Sequence, residues 1–120
     1  MKDYYITITG MNHYYDMKPF KIGKRLKCIK EPDNDYDEEA IRVVLKHIGT
    51  IGYVANSVYT VIRGTSSAGA IAHHVNKSFL VEIMFITGSR VICKVVDGWK
   101  TAIDHPIDKE DKEDEEDWYY

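Results

Sequence analysis

The side chains of this sequence best suited to chemistry are tyrosines, acids and an amide grouped around one proline-led turn. The turn runs from Glu31 through Pro32 to Asp37, and further tyrosines lie before and after it. A tyrosine ring stacks on a nucleobase with about 1–3 kcal/mol per base and demands no particular base. The Asp37 carboxylate can accept a hydrogen bond from a sugar hydroxyl but repels phosphate, and Asn34 can both donate and accept. The candidate binding set is Tyr14, Tyr15, Asn34, Tyr36, Asp37 and Tyr53.

A group of basic residues separates the first two tyrosines from the turn. Lysine and arginine bind the phosphates of a nucleic acid backbone whatever its sequence. The alternative is that each lysine is solvated surface charge, which is the usual situation of this residue. The group consists of Lys18, Lys21, Lys24, Arg25, Lys27 and Lys30, and the first four are the main candidates for phosphate contacts.

The elements that must position these residues are short strands joined by turns. A helix is predicted to begin at Asn56 or Ser57 and end at Gly64, and a weaker one to run from Ser66 or Ser67 to about Val75. Runs rich in β-branched and aromatic residues predict the strands. The strands are expected over Tyr4–Thr9, Arg25–Glu31, Ala40–Leu45, Ile51–Val54, Phe79–Thr87 and Arg90–Val96. This pattern predicts a mainly β fold, a five- to six-stranded antiparallel barrel with one or two short helices between the fourth and fifth strands.

Each candidate residue also has a purely structural interpretation. The ring of Tyr36 would cover the barrel, and Asn34 would be present because it tolerates a left-handed backbone. Asp37 would make an Asx turn or cap the segment that follows it. Neighbouring side chains on a strand point to opposite faces, so one of Tyr14 and Tyr15 is expected in the core and the other in solvent. The binding hypothesis requires these side chains to be exposed, whereas the structural interpretation of Tyr36 places its ring against the barrel.

Length and charge divide the chain into two parts. A chain of 120 residues fits one domain, predicted here over residues 1–103. From Asp104 to Tyr120 nine acids face two lysines, which gives that segment a charge of −7 and the rest +4. The segment 104–120 is predicted to be disordered because its hydrophobicity is low and its charges repel one another. A further hypothesis is that it competes with DNA for the basic face.

The sequence predicts a non-catalytic protein without cofactor or metal. His73 and His74 are adjacent, which is a poor spacing for metal ligands. The segment Gly64–Gly69 lacks the lysine of a phosphate-binding loop. Cys28 and Cys93 lie among alternating apolar residues, so we expect buried, reduced thiols and a cytoplasmic protein. No apolar run is long enough for a membrane span.

The order and spacing of several short motifs resemble a HIRAN domain over roughly residues 8–96. The motifs are Ile22-Gly23, Leu26, Glu31-Pro32-Asp33-Asn34-Asp35-Tyr36-Asp37, Ala40-Ile41-Arg42-Val43 and Ile51-Gly52-Tyr53-Val54. HIRAN domains lie at the front of some Snf2-type DNA-remodelling ATPases and also stand alone in bacteria and phages. The stand-alone type is the one expected here.

The resemblance implies an OB-like barrel that binds single-stranded DNA, in the best-understood relatives at a free 3′-hydroxyl end. It assigns the aromatic pair to Tyr14 and Tyr15 and the binding turn to Asn34, Tyr36 and Asp37. DNA repair, replication or mobile-element processing would be the setting, with DNA-processing ATPases or nucleases as candidate protein partners. Two alternatives stay open: an adaptor that binds peptides in the barrel groove, suggested by the small charge of the body, and a metal-dependent nuclease that uses the carboxylates of the turn.

Overall fold

The computed structural model of the protein describes residues 3–100, so the acidic segment 104–120 lies outside the described residues. Within them, six antiparallel strands close into a barrel in the order β1-β4-β3-β2-β5-β6. The strands are β1 Tyr5–Thr9, β2 Arg25–Lys30, β3 Ile41–Leu45, β4 Gly49–Val54, β5 Val75–Ile86 and β6 Val91–Trp99. The prediction of a mainly β antiparallel barrel is confirmed.

The core fills the barrel with side chains that alternate along each strand. In β5, Phe79, Val81 and Ile83 are each almost fully buried, whereas the residues between them are not. This period of two places every second side chain inside a closed sheet. Cys28 and Cys93 are buried and unpaired, and burial raises the pKa of both thiols.

The connection between β4 and β5 differs from the prediction. The expected helix from Asn56 or Ser57 to Gly64 is wrong: that segment forms turns. The hydroxyl of Ser57 accepts from the Tyr59 N–H at 3.0 Å, and such local hydrogen bonds compete with a helix. The segment instead covers β1, where the buried Thr7 hydroxyl accepts from the Ile62 N–H at 3.2 Å.

One short helix lies between the fourth and fifth strands. Helix α1 spans Ala68–Ile71, and the Ser67 hydroxyl accepts from the Ala70 N–H at its start. The predicted second helix is therefore present but shorter, because β5 begins at Val75. In residues 3–100 no helix has the length and apolar character needed to cross a bilayer.

Candidate functional site

The turn between β2 and β3 is held in one shape by Asn34. Its Oδ1 accepts from the backbone N–H groups of Tyr36 at 2.8 Å and Asp37 at 3.0 Å. Asn34 is not among the residues with positive φ, so the interpretation that it tolerates a left-handed backbone is wrong. The Glu31 N–H donates to the Ala40 carbonyl at 2.8 Å and closes the base of the turn. The turn is thus a fixed platform for the residues that follow Asn34.

Tyr36 lies at the tip of this platform with its ring in solvent. The residue is 97% exposed, so the interpretation that its ring covers the barrel is wrong. A large aromatic side chain on a backbone fixed by Asn34 leaves only its own rotamers to be ordered when a ligand stacks on it.

Asp37 combines a structural role with open acceptor capacity. Its Oδ1 accepts from the Glu39 N–H at 2.9 Å, two residues further on, which is the Asx turn considered from the sequence. Its Oδ2 accepts from Nδ2 of Asn56 at 3.2 Å. An ionised carboxylate has about four lone-pair sites, so about two remain for a donor such as a hydroxyl.

Glu31, absent from the candidate set, connects the turn to the barrel surface. Its Oε1 accepts from Asn34 Nδ2 and from the Tyr53 hydroxyl, both at 3.0 Å. Its Oε2 pairs with Arg42 Nε at 3.3 Å. Burial, reinforced by the hydrogen bond and negative charge of Glu31, raises the pKa of Tyr53 to about 12. Glu31 therefore fixes Tyr53 as a neutral hydroxyl donor beside the turn.

These residues border an open pocket of about 490 Å³. Asn56 lines it and was missed, because its position favoured a helix cap; its Nδ2 also donates to Glu39 at 3.0 Å and its Oδ1 accepts from the Gly69 N–H at 3.0 Å. The described residues that line the pocket include no lysine or arginine. They are Asn34, Tyr36, Asp37, Ala40, Tyr53, Val54, Asn56, Ser57 and Thr60. The pocket therefore combines aromatic and aliphatic surface with hydroxyl, amide and carboxylate groups, and none of its described lining residues carries a positive charge.

The tyrosine pair follows a 3₁₀ turn, Met11–His13, and not a strand. Tyr14 is 41% and Tyr15 is 48% exposed, so the expectation that one would be in the core is wrong: strand alternation does not apply there. The Tyr14 ring lies 6.4 Å from that of Tyr53, centroid to centroid, with 36° between the planes. Tyr14 thus adjoins the pocket through Tyr53, while no ring contact joins Tyr15 to it among residues 3–100.

The basic group lies apart from the pocket. Arg25 begins β2 and pairs with Glu82 at 3.7 Å. The six residues of β2 separate it from the binding turn by about 20 Å at the usual rise of a strand. Lys30 donates from Nζ to two backbone carbonyls, and Lys27 is buried, so both serve the fold. Lys18 and Lys21 are exposed in the loop before β2, where Lys24 is half-buried.

Among residues 3–100 no group of three or more His, Cys, Asp or Glu side chains has an arrangement that could hold a metal ion. The side chains that line the pocket offer hydroxyl, amide, carboxylate and aromatic groups.

A closed antiparallel barrel with an aromatic-lined pocket on its outer surface is the architecture of a small β-barrel binding module. The family model of the HIRAN domain matches residues 1–70, which is more than half of the chain and includes all residues of the pocket. The chain belongs to the HIRAN domain family, a family of nucleic-acid-binding modules. A search of curated proteins and a search of solved structures returned no match.

Proposed function

We propose that this protein binds single-stranded DNA and holds the 3′-hydroxyl end in the pocket formed by Asn34, Tyr36, Asp37 and Tyr53. The observation that carries the proposal is the pocket's composition: an exposed ring stands beside a carboxylate with open acceptor sites, and no cation lines the pocket among the described residues. A site built for internal phosphates would need the opposite charge.

Each side chain has a distinct role in this proposal. Tyr36 stacks on the terminal base, and Asp37 accepts a hydrogen bond from the terminal hydroxyl. The Tyr53 hydroxyl is held by Glu31, so its ring serves as the floor of the pocket, with Tyr14 beside it. A free hydroxyl is ordinarily found at the 3′ end of a DNA strand, whereas the 5′ end carries a phosphate. The setting would be DNA repair, replication or mobile-element processing, and the protein would act without catalysis.

The size of the end preference follows from charge. A 3′-phosphate carries about 1.5 to 2 negative charges. Its phosphorus would lie about 4 Å from the Asp37 carboxylate, where each pair of unit charges costs about 1 kcal/mol even at the dielectric constant of water. The 3′-hydroxyl strand should therefore bind at least about tenfold more tightly than the 3′-phosphate strand.

Fluorescence anisotropy with a 5′-labelled oligonucleotide ending in either group tests the proposal. Asp37→Asn keeps an acceptor for the Glu39 N–H and removes the charge, so the ratio of the two affinities should fall toward one. Glu38→Gln removes an exposed charge one position away and outside the pocket lining, and it should leave the ratio unchanged. Equal affinity of the unmodified protein for both ends would refute end recognition.

A further inference from the structure

A second groove adjoins the pocket on the outer surface of the barrel. It has a volume of about 270 Å³ and lies between the start of the 3₁₀ turn and the β5–β6 turn. Thr9, which lines this groove, is the cross-strand partner of Tyr53, which lines the pocket. Paired residues share a face of the sheet and neighbouring strands are about 4.8 Å apart. The two openings are therefore neighbours on one continuous surface.

Arg90 marks the junction between the two openings. It lines the groove, and its Nε donates at 3.0 Å to the carbonyl of Thr60, which lines the pocket. Its Nη2 donates to the Tyr59 carbonyl at 3.3 Å and its Nη1 to the Ser89 hydroxyl at 3.3 Å. All three acceptors are neutral, so these bonds position the guanidinium and do not neutralise it.

The guanidinium of Arg90 has capacity for one more partner. Arginine has five N–H donors, and three are used in the contacts above, which leaves two. Among the described residues that line either opening, Arg90 is the one with a positive charge. Asp16 also lines the groove, so an anion in it is favoured on the Arg90 side and disfavoured on the opposite side.

We propose that the second groove receives the penultimate nucleotide and that Arg90 binds the phosphate joining the last two nucleotides. This inference rests on the proposed function of the pocket. A strand that ends at Asp37 has to leave the pocket, and the path across Tyr53 and Thr9 brings its first phosphate to a cation already held in place. The path toward Arg42, the other cross-strand partner of Tyr53, meets a guanidinium already paired with Glu31 at 3.3 Å. The path toward Arg25 runs about 20 Å along β2 before it reaches that residue.

Neutralising one phosphate at a time tests the assignment. The probes are 3′-hydroxyl oligonucleotides with a single uncharged methylphosphonate, either at the last linkage or at the fifth linkage from the end. A hydrogen bond to a charged group contributes enough that the first substitution should weaken binding by about tenfold. The methylphosphonate at the fifth linkage should weaken binding to the unmodified protein much less.

The matching protein variant is Arg90→Gln. It should weaken binding of the natural strand by about tenfold, lose the sensitivity to methylphosphonate at the last linkage, and lower the slope of log affinity against log salt by about 0.7. Arg90→Lys keeps the charge and should keep part of that sensitivity, which provides the comparison if Arg90→Gln binds too weakly to measure. Arg63→Gln is the control, because Arg63 is exposed and lines neither opening.

The outcomes separate this inference from the proposed function. If Arg90 only supports the loop, Arg90→Gln binds less tightly but remains as sensitive to the methylphosphonate at the last linkage as the unmodified protein. That result overturns the inference. If the 3′-hydroxyl preference persists but Arg90→Gln and the methylphosphonate at the last linkage weaken binding additively, the pocket proposal stands. The assignment of the second groove is then wrong. Absence of any end preference in the unmodified protein overturns both.

Discussion

Replacing Tyr36 by alanine should weaken the binding of single-stranded DNA and leave the free energy of unfolding almost unchanged. The side chain is 97% exposed and the turn is held by the Tyr36 backbone N–H, which alanine retains. An exposed substitution of this kind changes the free energy of unfolding by at most about 0.5 kcal/mol, which moves the melting temperature by less than about 4 °C. Loss of one stacked base removes about 1–3 kcal/mol of binding free energy, so the affinity for a single strand should fall about 5- to 150-fold.

Two measurements on the same sample check the Tyr36→Ala prediction. Thermal unfolding gives the change in stability, and anisotropy with a labelled oligothymidine gives the change in affinity. Tyr36→Phe is the matched control: it keeps the ring and should bind about as tightly as the unmodified protein. Unchanged affinity of Tyr36→Ala would refute the stacking role, and a melting temperature lowered by 10 °C would show that the ring supports the fold after all.

Two further predictions concern the barrel itself. Gly98→Ala would place a Cβ 2.5 Å from Phe79 Cβ at a backbone φ of +92°, so strain and overlap together should lower the melting temperature by about 10 °C or more; Gly88→Ala, with nothing within 4 Å, should leave it unchanged, and equal melting temperatures would contradict this reasoning. The pKa of Tyr53 is raised to about 12, so above pH 10 the unfolded chain loses this proton before the folded one, and stability should fall between pH 10 and 12. Denaturant unfolding at pH 9 and pH 11.5 should show a smaller fall for Tyr53→Phe, and identical falls would show that Glu31 and burial do not hold the proton.

The barrel could be predicted from the sequence because its determinants are local. Alternating apolar residues in the segments around Cys28, Val43 and Cys93 place one side of each strand inside, and the proline-led turn between β2 and β3 marks where the chain reverses. The same turn could be recognised as the candidate site because Asn34, Tyr36 and Asp37 are close in sequence. Side chains that are near in sequence and share one turn need no tertiary information to be grouped.

The features that the sequence does not predict depend on contacts between segments that are distant along the chain. The sequence around Asn56 predicts a helix cap, but the Asn56 amide joins Asp37, Glu39 and Gly69, which lie up to 19 positions away. The helix expected after it gives way to turns that cover the Thr7 side of β1. In those turns Val61 and Ile62 are half-buried and Val58 is 86% exposed, so the helical spacing of the three residues does not mark a common buried face. Glu31 was overlooked for a similar reason, since its partners Arg42 and Tyr53 come from two other strands.

The small positive charge of the body bears on which ligand the barrel binds. Outside the acidic segment the chain carries +4, which is modest for a protein that follows a long stretch of phosphates. A protein that holds one strand end needs few phosphate contacts, and each contributes only about 0.7 to the salt dependence for a single strand. For a barrel that binds a strand end, log affinity should therefore fall with log salt concentration with a slope near 1 to 2. For an apolar peptide site the affinity should change very little with salt. The weak charge that first favoured a peptide adaptor is thus equally what a 3′-end module requires, and the salt slope decides between them.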